Sequence, residues 1–149
     1  MRARLDEYEG FHQTLGNEVC HYVGIPCIVA GAATLLGLVP LATVGGVTVT
    51  LAEVVASAII VFYLASARLL GLVTGALLAA LVALGRALPL WAGLSMFIAG
   101  WVLQFVGHAA FEHRSPAFLR NLLHLLVGPA WLVERALKRL GGARRTELS

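Results

Sequence analysis

The strongest constraint on this chain is a gap in its charge. It carries 11 Lys and Arg and 8 Asp and Glu in 149 residues, yet between Tyr22 and Gly107 only Glu53, Arg68 and Arg86 are charged. With 59% hydrophobic and 13% charged residues, against roughly 25% charged in an average soluble domain, a water-soluble fold of this size could not cover its surface. The same composition excludes intrinsic disorder, and two cysteines make no disulfide scaffold. An integral membrane protein remains, expected as an all-α bundle.

Punctuation divides the apolar region. Residues 1–21 are polar, with Leu5, Tyr8, His12, Leu15 and Val19 at helical spacing, so a short amphipathic helix is expected, broken near Gly16. It carries charge but no apolar core, so no signal peptide is expected. Residues 22–39 form a first span ending at Pro40. Ala42–Thr50, rich in Gly and β-branched residues, reads as a tight loop or small hairpin. Thr50 and Glu53 have capping-box spacing and open the next helix. From Leu51 to Leu88 the apolar run would measure about 57 Å as one helix, against a hydrocarbon core of roughly 30 Å, so it must turn back. The polar interruption Ser66-Ala67-Arg68 places that turn, giving spans at 51–66 and 68–86, with a fourth at 89–108. Small residues (Ala65, Gly71, Gly75, Ala79, Ala80) suit close packing of the middle pair. Residues 117–138 are interrupted by Gly128-Pro129 and read as an interfacial or re-entrant helix pair rather than a fifth span. The expectation is one membrane-embedded domain over 1–140, with four spanning helices plus N- and C-terminal interfacial helices, and a disordered basic tail at 141–149.

Four crossings return the chain to its starting side. His12 and His21 then face the same side as His108, together with Arg2, Arg4, Arg68, Arg114 and Arg120, while the other side holds only Arg86. The positive-inside rule makes the histidine side cytoplasmic. The tail cluster Lys138, Arg139, Arg144 and Arg145, within a net charge of +3, suits anionic lipid headgroups. It lacks the aromatic interleaving of a nucleic-acid surface, so membrane lipid is the expected partner and nucleic acid is not. Cys20 and Cys27 form no recognised motif and read as reduced packing thiols.

All five histidines fall in the two polar blocks that topology brings to one face. Imidazole is the commonest ligand for iron, zinc and copper, so His12, His21, His108 and His124 are candidate metal ligands; polar residues are also simply tolerated at an interface, and both readings stand. Gln104, His108 and Glu112 follow at i, i+4 and i+8 on one helix face. Glu112 could be a ligand, an acceptor that orients a ligating ring, or a general base. Gln104 lies a turn deeper, where an amide needs a purpose or a neighbouring helix to bond. Tyr8 shares a face with His12, and Asn17 with His21; Asn17 could orient His21 or cap a helix. His113 points away and reads as solvated. HExxH, GxSxG, Walker and Rossmann patterns are absent, as are the histidine boxes of membrane desaturases.

Tyr8, His12, Asn17, His21 and Gly24-Ile25-Pro26 follow Y-x3-H-x4-N-x3-H-x2-GIP. Gly100 through Ala117 follow GW-x2-QF-x-GH-x2-FE-x-R-x-PA, and Asn121–Glu134 form a third block with a central Gly-Pro. These strings resemble the 2-hydroxy-fatty-acid dioxygenase family of fatty-acid α-oxidation. The resemblance implies an Fe(II)-dependent membrane enzyme that uses O2 to shorten a 2-hydroxy fatty acid by one carbon. It implies His12, His21 and His108 as iron ligands, with Glu112 or His124 completing or supporting the set. It also implies residence in the inner membrane of a bacterium or the endoplasmic reticulum of a eukaryote. Iron that activates O2 needs open coordination positions, and a 2-hydroxy acid can chelate it through hydroxyl and carboxylate. Arg114 or Arg120 could meet that carboxylate or a lipid headgroup. The rival expectations are a lipid-binding or scaffold protein without catalysis, and a zinc hydrolase using the same histidines.

Overall fold

The computed structural model describes residues 1–149 except 12, 114, 115, 117–120 and 147–149, and beyond residue 140 it describes backbone only. The chain forms α1 (Arg2–Glu9), α2 (Leu15–Leu36), a hairpin of β1 (Pro40–Val44) and β2 (Val47–Thr50), then α3 (Leu51–Ser66), α4 (Arg68–Ala87), α5 (Leu90–Val106), a π-helical turn (Gly107–Glu112) and α6 (His124–Thr146). The architecture is all-α, with one small hairpin.

The breaks fall where local chemistry puts them. Gly45 and Gly46 take φ of 56° and 80°, the left-handed pair that a two-residue hairpin turn requires. Thr50 and Glu53 close the capping box that starts α3. Ala67 is extended between α3 and α4, and Pro89 precedes α5, as expected.

Two boundaries differ from the sequence reading. The first span begins earlier than Tyr22: α2 starts at Leu15, because the Thr14 side chain accepts from Asn17 N and caps the helix. Gly16 therefore lies inside α2, where its missing Cβ makes room for the Phe111 ring. The Gly128-Pro129 pair does not split the last segment either. α6 runs through Pro129, its sixth residue, where the proline forgoes one hydrogen bond of the ladder without ending the helix. A Cβ at Gly128 would lie 3.1 Å from the Tyr8 hydroxyl and 3.0 Å from Ile25 Cδ1, so this glycine serves packing. Helical backbone continues to Thr146, into the segment expected to be disordered.

Among the described residues three helices are long and apolar enough to cross a membrane: Leu15–Leu36, Arg68–Ala87 and Leu90–Glu112. α3 is apolar but has 16 residues, about 24 Å of helix against a core of roughly 30 Å. Leu69, Leu72, Trp91 and Ile98 are exposed, as lipid-facing side chains are. The helices run alternately up and down. Gly24 of α2 meets Gly100 and Gln104 of α5, and Gly31 meets Gly93 and Phe97, so α2 and α5 are antiparallel. The C-terminal ends of α2 and α4 meet at the far end, where Thr34 Oγ1 donates to Gly85 O at 2.7 Å and Arg86 donates to Gly37 O at 2.9 Å. Arg86 also pairs with Glu53 at 3.0 Å. The hairpin follows α2 at that end. α1 and α6 close the opposite end, where the Tyr63 hydroxyl of α3 donates to Leu126 O at 2.6 Å.

Candidate functional site

The site is built at the crossing of α2 and α5. Gly24 and Gly31 on α2, and Gly93, Gly100 and Gly107 on α5 and its π turn, recur every seven residues along the seam between the two helices. A Cβ at Gly31 would lie 2.5 Å from Gly93 O, and one at Gly107 2.5 Å from Asn17 Oδ1. The backbones therefore approach closely. This seam was missed in the sequence, where small residues were read only along the middle pair; the signal was present as glycine at heptad spacing.

Close approach brings two histidines together. The rings of His21 and His108 stand 5.0 Å apart at 89°, both buried. His21 Nδ1 lies 2.9 Å from Asn17 O. A carbonyl only accepts, so Nδ1 carries the proton and the lone pair sits on Nε2. It is thus the backbone of Asn17 that orients His21, and Thr14 that caps the helix. The Asn17 side chain instead donates to Phe11 O and Glu112 Oε1, both at 3.3 Å.

His108 lies on the π-helical turn, a geometry frequent at functional sites. Glu112 ends that turn, and His113 takes a left-handed φ of 52° and is exposed. Glu112 Oε1 accepts from Gln13 N at 2.7 Å, Thr14 N at 2.8 Å and Thr14 Oγ1 at 3.0 Å. This oxygen ties the start of α2 to the end of α5 and is occupied by that task. Glu112→Ala is expected to lower stability by about 2 kcal/mol by stranding those donors, read as a fall of several degrees in thermal melting, whereas Glu112→Gln keeps an acceptor oxygen and most of the stability.

His124, at the start of α6, is buried. Its Nε2 stands 3.4 Å from Glu7 Oε1, but among the described residues neither ring nitrogen makes a hydrogen bond. Tyr8 lies between the histidines, its ring 6.5 Å from His21, 5.9 Å from His124 and 5.5 Å from Trp131. Burial pushes the Tyr8 phenol well above its ordinary range, so it stays protonated at neutral pH. Trp131, missed in the sequence reading, is buried beside Tyr8 and His21. The Gln104 amide nitrogen is buried and has no hydrogen-bond partner among the described residues.

These side chains line one cavity of about 130 Å³: Tyr8, His21, His108, His124 and Gln104 on one part, Ile25, Ile28, Val29, Trp101 and Leu125 on the rest. His12, Arg114 and Arg120 lie outside the described residues. Among the described residues no three His, Cys, Asp or Glu side chains form a group that could hold a metal ion; what is present is the His21–His108 pair, with His124 on the same wall. Cys20 and Cys27 are free thiols. α6 is held on α1 and α2 by charge, Arg135 donating to Glu18 Oε1 at 2.9 Å and to Glu9 Oε1 at 2.6 Å. Glu18 in turn holds the Arg135 guanidinium above its usual pKa.

Fold and site together define a helical membrane protein with a histidine-walled cavity at one end of its bundle. The chain belongs to the Mpo1-like family, described as 2-hydroxy-palmitic acid dioxygenase Mpo1-like, which matches residues 1–140. It is 30% identical over 142 residues to the 2-hydroxy-palmitic acid dioxygenase MPO1 of Saccharomyces cerevisiae, covering 95% of this chain and 82% of the yeast protein. No solved structure matches the chain.

Proposed function

We propose that this protein is an Fe(II)-dependent membrane dioxygenase that shortens 2-hydroxy fatty acids by one carbon. The observation that carries the reading is the buried His21–His108 pair on the wall of a cavity that is polar at one part and apolar at the rest, in a chain of this family. The donor set is present in part. Two imidazoles from separate helices stand 5.0 Å apart, and His124, on the same cavity wall but not grouped with them closely enough to share one ion among the described residues, is proposed to move in as a third donor. His12, implied as a ligand by the family resemblance, is the proposed fourth. Bound there, iron would supply the activation of O2, for which few protein ligands and open positions are suited.

The chain's own residues would do the rest. The Asn17 carbonyl holds the His21 proton on Nδ1, so that Nε2 is presented for ligation. The Gln104 amide offers a donor to the substrate's hydroxyl or carboxylate, and Tyr8 a neutral phenol. Trp131 and the apolar wall exclude water. Glu112 acts by positioning, holding the start of α2 against α5. The basic residues concentrated at the histidine end favour a cytoplasmic orientation of that end.

The test is aerobic incubation of the purified, iron-loaded protein with 2-hydroxypalmitic acid, following O2 uptake and the acid one carbon shorter. Product that needs both iron and O2 is expected, with removal of iron by chelation abolishing it. Absence of product from iron-loaded, folded protein would overturn the proposal.

A further inference from the structure

Beyond the histidine cavity lies a second one, of about 140 Å³, between α2, α3 and α4. Ile28 and Val29 border both, so the two adjoin at these side chains. Its lining residues are all apolar, and four of them are alanines, Ala32 and Ala33 on α2 and Ala52 and Ala56 on α3, with Leu36 at the far end. The gap has a structural origin. α3 packs chiefly on α4 and touches α2 little. In a bilayer nothing drives such a gap to close, because an acyl chain fills it as well as a side chain would. From His21 to Leu36 the path along α2 is about 22 Å, more than the roughly 15 Å of hydrocarbon in one leaflet. Beyond Leu36 the Arg86–Glu53 pair and the Arg86–Gly37 hydrogen bond make the end polar.

We infer that the second cavity is the acyl-chain site of the protein, holding the hydrocarbon tail of a single-chain amphiphile whose polar head lies among the histidines, and that Ala56 and Leu36 set the chain length accepted. The inference rests on the proposed function for its substrate head. The occupant is a single free acid rather than a bilayer lipid because the apolar cleft adjoins, across Ile28 and Val29, a buried polar cavity of about 130 Å³, too small for a phosphodiester headgroup with two chains.

Three variants of the full-length protein test this. Ala56→Phe fills the cleft and should lower the ratio of kcat/KM for long over short 2-hydroxy acids by about tenfold or more for each methylene that no longer fits. Leu36→Ala lengthens the cleft and should move the ratio the other way. Leu72→Phe on the exposed lipid face should not move it. Because Ala56→Phe could impair folding, a second readout uses the wild-type protein: a 2-hydroxy fatty acid bearing a photoreactive group at its methyl end. Labelling should fall on Leu36, Val55 and Ile59 and be competed by 2-hydroxypalmitic acid. An unchanged length ratio in both cleft variants, labelling of Leu69 and Leu72 instead, or equal labelling of the cleft by a tail-labelled phospholipid would overturn the inference. If no 2-hydroxy acid of any length is turned over but competed cleft labelling persists, the dioxygenase reading fails and the acyl site stands; turnover without cleft labelling is the reverse.

Discussion

His21→Ala and His108→Ala should each abolish turnover of 2-hydroxy acids and the binding of iron. Both rings are buried and face one another at 5.0 Å, so each removal takes away half of the pair. The loss should exceed the roughly 10–100-fold that follows when only a supporting partner of a ligand is removed. Truncating a buried ring also leaves a cavity worth a few kcal/mol, so the volume-keeping variants His21→Gln and His108→Gln are the sharper probes. They should melt close to the wild type while losing metal, measured by elemental analysis, and activity together. Exposed His113→Ala should alter neither. Full activity in either pair variant would remove that residue from the proposed metal set, and full activity in both would remove the set.

The second large effect is on folding. Gly31→Val and Gly100→Val should yield little or no folded protein, because the added Cβ meets backbone. At Gly31 the nearest backbone atoms would be Gly93 O at 2.5 Å and Phe97 N at 2.6 Å; at Gly100 they would be Gly24 O at 2.7 Å and Ile28 N at 2.9 Å. Backbone cannot turn aside, so α2 and α5 must separate, at a cost beyond the roughly 1–3 kcal/mol of ordinary overpacking, and the His21–His108 pair parts with them. Gly75→Ala is the control. There the nearest atom is the Cγ2 methyl of the Ile60 side chain at 3.2 Å, a side-chain contact that needs to give by only a few tenths of an ångström. Yield of monodisperse protein in detergent and thermal melting read both; a stable Gly31→Val protein would show that the seam tolerates separation.

The histidine pair was legible as a tendency and not as a contact. Charge distribution and the turn at Ser66-Ala67-Arg68 were enough to bring His21 and His108 to one end of a bundle. The depth of His21 was not legible, because the helix start was set by Thr14 and by the distant Glu112, whose oxygen reaches donors some 95–99 residues away in sequence. Glu112 and Asn17 were read as chemical groups, with capping an option for Asn17; their side chains instead hold the loop before α2, a role created by a contact between chain segments that no local pattern contains. Gly16 and Gly128 were read as breaks because glycine often interrupts a helix; each lies within one, where a ring from another element packs against it.

The sequence by itself determined the membrane class, the family, most helix boundaries and the end of the bundle where polar chemistry collects. These follow from hydropathy, capping and spacing, which act over a few residues. Only the tertiary structure decided that α2 and α5 meet at glycines, that two imidazoles face one another across that seam, and that small residues leave an apolar cleft behind them. Those features depend on backbone separations of a few ångströms between segments some 20–90 residues apart in the sequence, and they arise only when the helices pack.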